Sequence, residues 1–225
     1  MSVDALHFNS AVNCSPAEYD SYTARFLTAY DLLMIRRLTE ECRPRDPRAK
    51  LLDVGTGTAR LLLKIAAVSR LGWIGLTGLE FFSEMTVQAW RTVGEAGLQE
   101  KIRIVQGDAH ALPFDSGVFE AVISRSTIHH FAEPVRAIRE MHRVLRPRGV
   151  AIVHEVRRTA PAGALSEFNR SRFSAGIPAS TQNDKYTIEE VRQFIRQAGV
   201  ERQTHLRTAT NGYASIGMEL CIRKD

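Results

Sequence analysis

The residues best suited to chemistry lie where a short apolar strand runs into a glycine-rich turn. Gly55 and Gly57 let the backbone turn sharply and approach a bound molecule closely. A dinucleotide site would need a third glycine where Arg60 stands, and Asp53 beside the turn would repel a pyrophosphate. An acidic residue at that point suits a ligand with an ammonium or sulfonium group. With Glu80 at the end of the next strand, the pattern predicts a ligand-binding loop rather than a bare structural turn.

Histidines lie near the carboxyl ends of the fourth and fifth predicted strands. His129 belongs to the segment SRSTIHH that begins at residue 124, and His154 lies with Glu155 in the strand 150–156. Because the carboxyl ends of parallel strands border one crevice, these residues are expected near the loop. His129 is the first candidate for a catalytic base or an orienting group, and His154 is the second. His154 and Glu155 point to opposite faces of their strand, and a structural role for each histidine is the alternative.

The elements that must position these residues alternate along the chain. Apolar runs predict strands at 51–54, 73–79, 102–106, 118–124 and 150–156, with helices at 16–39, 59–68, 83–96, 133–145 and 187–199. The tail, 203–223, is typical of a hairpin around Asn211 and Gly212. The pattern predicts an α/β, doubly wound, Rossmann-like fold with helices on both faces of the sheet. The seven-stranded sheet is mostly parallel, with a C-terminal antiparallel hairpin.

Composition narrows the class of protein. The 225 residues include 44% hydrophobic and 24% charged residues, which is typical of a folded domain. There is no uninterrupted apolar stretch of about 18 residues, and the first residues lack the basic start and apolar core of a signal peptide. Three widely spaced cysteines fit neither a disulfide framework nor a zinc site. These features predict a cytoplasmic protein without a membrane partner and without a bound metal.

The chemistry-bearing segments together resemble the class I S-adenosylmethionine-dependent methyltransferases. DVGTGTA at 53–59 is similar to the motif D/E-x-G-x-G-x-G, with Ala59 in place of the third glycine. VQGDA at 105–109, LPF at 112–114 and LRPRG at 145–149 follow in the family's order, the last with Arg148 in place of a glycine. The resemblance covers about residues 45–160. It implies S-adenosyl-L-methionine as the cofactor and S-adenosyl-L-homocysteine as the product.

The resemblance also implies roles for individual residues. Glu80 would hold both ribose hydroxyls, because a carboxylate has paired acceptors, and Asp108 would accept from the adenine amino group. The implied cofactor-binding set is Asp53, Gly55, Thr56, Gly57, Glu80, Phe81, Asp108, Ala109 and Ser124. The histidine pair after the fourth strand is similar to that of the quinone-precursor methyltransferases, a subset that acts on small molecules.

Two segments lie outside the core of the resemblance. The family places a helical lid at the N-terminus, here residues 1–44, ahead of a methyltransferase domain at 45–225. The insertion 157–186 is expected to form a second lid over the substrate. The candidate substrate residues are Tyr22, Arg125, Arg157 and Arg158. Arginine suits carboxylate or phosphate groups, so these arginines predict an acidic acceptor; the alternative is that they are solvated or paired with Glu155, Glu167 and Asp184.

Charge distribution leaves three functions to compare. Between Glu133 and Arg172 there are nine arginines and four acids, which account for the whole net charge of +5. The favoured function is O-, N- or C-methylation of a small molecule in biosynthetic or secondary metabolism, by a monomer or homodimer. An RNA or protein methyltransferase would use the basic segment, but no nucleic-acid module is visible and a nucleic acid is not the expected partner. A catalytically silent cofactor-binding regulatory subunit is the third possibility.

Overall fold

A computed structural model describes residues 15–26, 28–42, 49–68, 75–174, 179–180, 182–208 and 213–225. The α-helices are α1 (Pro16–Phe26), α2 (Thr28–Glu41), α3 (Arg60–Ala66), α4 (Ser83–Glu95), α5 (Pro134–Val144), α6 (Ala162–Ser174) and α7 (Ile188–Ala198). The strands are β1 (Lys50–Val54), β2 (Gly75–Glu80), β3 (Ile102–Gln106), β4 (Phe119–Arg125), β5 (Leu145–Val156), β6 (Thr204–Thr208) and β7 (Gly217–Arg223). Short 3-10 helices span Ile128–His130, Glu201–Gln203 and Tyr213–Ile216.

The strands form one seven-stranded sheet in the order β3-β2-β1-β4-β5-β7-β6. Only β7 runs against its neighbours, since it pairs antiparallel with both β5 and β6. The structure therefore confirms the prediction of a mostly parallel sheet that ends in an antiparallel pair of C-terminal strands. The predicted turn at Asn211 and Gly212 lies outside the described residues. The strand order reverses between β1 and β4, which places a crevice at the carboxyl ends of these two strands.

Two apolar layers cover the sheet. One layer joins α2, α3 and α4 to the sheet, and the other joins α5 and α7 to the opposite face. Side chains alternate between the faces along each strand, so Leu51 enters the first layer and Leu52 the second. Among the described residues no helix is long and apolar enough to cross a membrane.

Element boundaries agree with the sequence prediction to within about two residues, apart from the start of β5. The helix predicted at 16–39 is described as α1 and α2, on either side of residue 27, which lies outside the described residues. Strand β5 begins at Leu145 rather than at residue 150, because the register slips from Phe119 opposite Leu145 to Ala121 opposite Val150. That bulge takes up the residues in between. Arg148 lies there at φ 65°, the left-handed conformation that explains why the motif usually has glycine at this position.

The N-terminal helices differ in how they meet the domain. Met34 and Leu38 of α2 are fully buried in the same apolar layer as Leu51. Helix α1 contacts α2, α3, α4 and α6 instead, and so lies over the helices. Helix α2 is therefore part of the apolar core, and a lid role for α1 stays a prediction.

Candidate active site

The glycine turn after β1 is held by the end of β2. The N–H groups of Gly55 and Thr56 both donate to the carbonyl of Leu79, at 2.8 and 3.0 Å. Gly55 has φ 73°, and a Cβ atom there would lie 2.2 Å from the Thr127 side chain. Glycine is required at this position because the backbone conformation and the contact with Thr127 both exclude a side chain.

The Glu80 carboxylate accepts hydrogen bonds from backbone N–H groups on both sides of the crevice. One carboxylate oxygen accepts from Gly57 N–H at 2.9 Å, and the other accepts from Phe81 and Phe82 N–H at 3.0 and 3.1 Å. The side chain is nevertheless almost fully buried, and burial raises its pKa to about 7 against the lowering effect of these bonds. The fold therefore fixes the Glu80 carboxylate at the end of β2 and gives it a pKa close to neutral pH.

Asp53 is the second buried acid of the crevice. Burial raises its pKa to about 6, although the Thr56 hydroxyl, which donates to it at 2.9 Å, and the charge of Arg125 both act to lower it. Buried carboxylates with raised pKa values cluster at functional sites, and a cationic or hydroxyl-bearing ligand would interact favourably with both acids. This agrees with the composition of S-adenosylmethionine, which carries a sulfonium, an ammonium and a ribose.

Asp108, which follows β3, is oriented by a histidine that the sequence analysis did not single out. His110 Nε2 accepts from the Glu133 N–H at 3.1 Å, so the ring proton lies on Nδ1 and donates to Asp108 Oδ1 at 2.5 Å. The His110 N–H donates to the same oxygen at 2.9 Å. Asp108 itself stays 46% exposed. Nearby, Phe81 is 37% exposed while Ala109 is buried.

The other wall of the crevice comes from β4 and from the N-terminal helices. A cleft of about 330 Å³, including space open to solvent, is lined by Tyr19, Asp53, Gly55, Thr56, Gly57, Thr58, Arg60, Leu61 and Arg125. Ser124 does not reach it as a lining residue; its hydroxyl donates to the carbonyl of Val54 at 2.9 Å and ties β4 to β1. Tyr22, predicted as a substrate residue, lies in α1, and its side chain is outside the described part of the structure.

Two ion-pair clusters fasten the N-terminal helices beside this cleft. Arg60 at the start of α3 donates to both oxygens of Asp20 in α1, at 2.8 and 2.5 Å. In α2, Asp31 is 1% exposed and pairs with Lys64 and, at 3.2 Å, with Arg125 Nε. Sequence reasoning missed both clusters because their members are far apart in the chain.

His129 lies at the carboxyl ends of β4 and β5, in contact with a buried acid. Its Nδ1 is 2.9 Å from Glu155 Oε1, and its side chain is 5% exposed. Burial acts to raise the pKa of Glu155, but the charge and hydrogen bond of His129 and the charge of Lys185 outweigh it, so the pKa lies below its usual value. Glu155 is therefore ionised, and His129 donates its Nδ1 proton to it.

His154 faces the other side of β5, as the alternation along the strand requires. Its Nε2 is 2.9 Å from Glu219 in β7, and Glu219 also accepts from Arg37 of α2. His154 is 2% exposed. The structure does not bring this histidine together with His129, which contacts Glu155 instead.

The arginines after β5 are both anchored within the protein. Arg157 donates from Nε and Nη2 to the Ser215 carbonyl, at 3.2 and 3.0 Å. Arg158 donates to the Lys185 carbonyl at 2.8 Å and pairs with Glu190 at 3.2 Å. Neither contact is to Glu155, Glu167 or Asp184, the partners that the sequence analysis considered. Within the described ranges no cluster of three or more His, Cys, Asp or Glu side chains could hold a metal ion.

Comparisons with known proteins agree with this geometry. A family model described as a methyltransferase domain matches residues 52–153. The demethylmenaquinone methyltransferase of Thermus thermophilus is 31% identical over 71% of this chain and 70% of its own length. The ubiquinone/menaquinone biosynthesis C-methyltransferase UbiE of Roseobacter denitrificans is 30% identical over 76% and 74%.

A third relative and a solved structure extend the comparison. The malonyl-[acyl-carrier protein] O-methyltransferase of Geobacter sulfurreducens is 30% identical over 88% of this chain and 71% of its own length. A crystal structure of a protein from Methanococcus maripaludis superposes with a TM-score of 0.69 at 18% identity. The superposition covers 93% of this chain and 91% of the Methanococcus maripaludis chain, and it supports the fold.

Proposed function

We propose, since this chain belongs to the class I S-adenosylmethionine-dependent methyltransferases, that it transfers the cofactor's methyl group to a small biosynthetic acceptor. The observation that carries the proposal is the buried Glu155–His129 pair at the carboxyl ends of β4 and β5, on the edge of the sheet where the glycine turn also lies. Thr127 contacts Gly55 of that turn, and His129 follows two residues later. Methyl transfer needs mainly an aligned acceptor in a water-poor site, and this pair offers a base at that position.

The residues present fit the cofactor. Its sulfonium supplies an already activated methyl group, so the protein's part is to hold and orient it. Glu80 would hold the ribose hydroxyls, Asp108 the adenine amino group, and the glycine turn the remainder of the molecule. Ala109 and Phe81 flank the adenine position in this proposal, and Thr56 keeps the Asp53 carboxylate in place through its hydrogen bond.

His129 would act as the general base where the acceptor carries a proton. In its neutral form His129 would donate Nδ1–H to Glu155, so Nε2 would keep its lone pair and could accept a proton from the acceptor. The negative charge of Glu155 then stabilises the imidazolium that forms. Glu155 acts through His129 and is a positioning residue. Lys185, which is buried and contributes to the low pKa of Glu155, keeps that acid ionised.

The relatives guide the choice of acceptor. Their names assign methylation of a quinone precursor at carbon and of an acyl-carrier-bound malonyl group at oxygen. We propose an acidic carbon or a hydroxyl of a small biosynthetic intermediate as the acceptor, whereas a malonyl carboxylate is already ionised at neutral pH and would need no base. The acidic carbon and the hydroxyl both need a proton removed, which is the task assigned to His129.

We also keep an acidic group on the acceptor as a prediction, with Arg157 and Arg158 as its contacts. Replacing both with glutamate is expected to raise the acceptor's KM severalfold without changing cofactor affinity, because only the acceptor side would lose positive charge. Arg136→Glu on the exposed surface of α5 is the matched control. A neutral or cationic acceptor with unchanged KM would remove this part of the proposal.

Transfer of a radiolabelled methyl group tests the function directly. Purified protein and labelled S-adenosylmethionine are incubated with a fractionated cell extract, and label is followed into small molecules, RNA and protein. Label in the small-molecule fraction, insensitive to nuclease, is the expected result. Label in RNA or protein would favour the alternative enzymes. Cofactor binding without transfer to any fraction would favour a catalytically silent regulatory subunit.

A further inference from the structure

The proposed cofactor contacts follow the order of the strands along the crevice. Asp108 follows β3, Glu80 ends β2, the glycine turn follows β1 and Arg125 ends β4. Neighbouring strands lie about 4.8 Å apart, so these four positions span about 14 Å. With the adenine at Asp108 and the ribose at Glu80, the amino-acid end of the cofactor must lie between the glycine turn and β4.

The end of β4 is fastened directly to the glycine turn. Ser124 donates to the Val54 carbonyl, and the Thr127 hydroxyl lies 3.0 Å from the carbonyl of Arg125 and 3.4 Å from that of Gly55. These contacts fix the backbone on both sides of Arg125. Its side chain is 11% exposed and lines the cleft together with the turn. Arg125 therefore faces the cofactor cleft at the position that the strand order leaves for the amino-acid end.

The cleft around Arg125 contains both a positively charged and an acidic side chain, which suits a zwitterionic ligand. Asp31 is buried and contacts two cations, Lys64 and Arg125, so one negative charge is shared between them. Asp53 lies on the same cleft and senses the charge of Arg125. A cleft that holds a cation and a separate carboxylate matches an α-amino acid, whose carboxylate and ammonium are one tetrahedral carbon apart.

We infer that Arg125 binds the α-carboxylate of the cofactor's methionine portion, with Asp53 on the side of its ammonium group. This assigns Arg125 to the cofactor instead of the acceptor, the role predicted from the sequence. The inference rests on the cofactor of the proposed function, and it is independent of the acceptor and of His129. Asp31 acts through Arg125 and is a positioning residue.

Calorimetry with two ligands isolates the carboxylate. S-adenosylmethionine and its decarboxylated analogue share the sulfonium, the ribose and the adenine, and differ only in this group. The wild-type protein is expected to bind the complete cofactor at least about tenfold more tightly, as a charge-assisted contact implies. In Arg125→Gln the complete cofactor is expected to lose about tenfold in affinity, while the analogue changes less than about twofold. Arg136→Gln is the control, and it should leave both affinities unchanged.

The pattern across the two ligands distinguishes binding from a structural effect. Equal losses for both ligands in Arg125→Gln would show that the residue only supports the cleft, and would overturn the inference. Unchanged affinity for both would overturn it as well. Should Arg125→Gln not fold, Arg125→Lys provides the same comparison, with an expected fall in the ratio of affinities of about threefold or more. A protein that binds the cofactor in this pattern but labels no small molecule contradicts the proposed function and leaves this assignment intact.

Discussion

At the scale of single residues, the two buried acids of the crevice link cofactor binding to pH. Burial holds the pKa of Glu80 at about 7 and that of Asp53 at about 6. Both would interact with the cofactor as carboxylates, so a proton must leave each acid that is protonated before the cofactor binds. Affinity should therefore fall as pH drops below about 7, and more steeply below about 6.

From these pKa values we expect the dissociation constant of S-adenosylmethionine to rise by about 30- to 100-fold between pH 8 and pH 5.5. Calorimetry across this range measures it. Glu80→Gln removes the group that titrates first and should flatten the curve between pH 6 and 8, at a weaker affinity overall. A wild-type affinity independent of pH would show that neither acid changes its charge on binding.

His129 and Glu155 give a second prediction at this scale. His129→Gln should lower kcat by about 10²- to 10⁴-fold, the usual contribution of a general base, with cofactor affinity unchanged. Glu155→Gln keeps the shape of the buried side chain but removes the charge that supports the imidazolium. It should lower kcat and shift the acid limb of the kcat–pH profile. His205→Gln in the exposed part of β6 is the matched control.

Turnover of the labelled acceptor and calorimetry with the cofactor are the two measurements. If His129→Gln turns over at the wild-type rate, the histidine is structural and transfer depends on proximity alone. If cofactor affinity falls together with kcat, the variant has disturbed the glycine turn through Thr127 rather than removed a base.

At the scale of elements, α2 and α1 have different roles although the sequence assigns both to one lid. Leu38 is fully buried in the layer that covers β1 and β5, whereas Leu32 of the same helix is 59% exposed. Leu38→Ala is expected to lower the free energy of unfolding by about 2–5 kcal/mol, and Leu32→Ala by less than about 0.5 kcal/mol. Urea unfolding measures both. Equal, small effects would mean that α2 is a detachable lid.

The parts of the site that the sequence predicts are those encoded locally. Strand ends, the glycine turn and Glu80 are visible because apolar runs and glycines mark them within a few residues. His110 and Asp31 are not visible, because their roles depend on contacts with Glu133 and Arg125 that only the packed sheet creates. We propose His129 rather than His154 as the base because His154 contacts Glu219 on the other face of β5, a contact that alternation along the strand could not predict.

At the scale of the whole molecule, the arginines of the basic segment, residues 133–172, make several contacts within the protein. Six of the segment's nine arginines pair with an acid or bind a backbone carbonyl: Arg136 with Glu133, Arg139 with the Gln197 carbonyl, Arg143 with Glu140, Arg146 with Glu120, Arg157 with the Ser215 carbonyl, and Arg158 with Glu190. Arg172 lies over the ring of Phe168. An arginine paired in this way contributes less to binding a phosphate backbone, because its counter-charge is already present.

We therefore expect weak binding of nucleic acid in spite of the net charge of +5. Fluorescence anisotropy with a labelled single-stranded RNA at about 0.15 M salt should give a dissociation constant above about 10⁻⁴ M, the weak limit of non-specific binding. The same probe at low salt provides the control, since residual attraction is screened by salt. Micromolar binding with a steep salt dependence would instead show a continuous basic surface. Together with label in the RNA fraction, it would make RNA the acceptor.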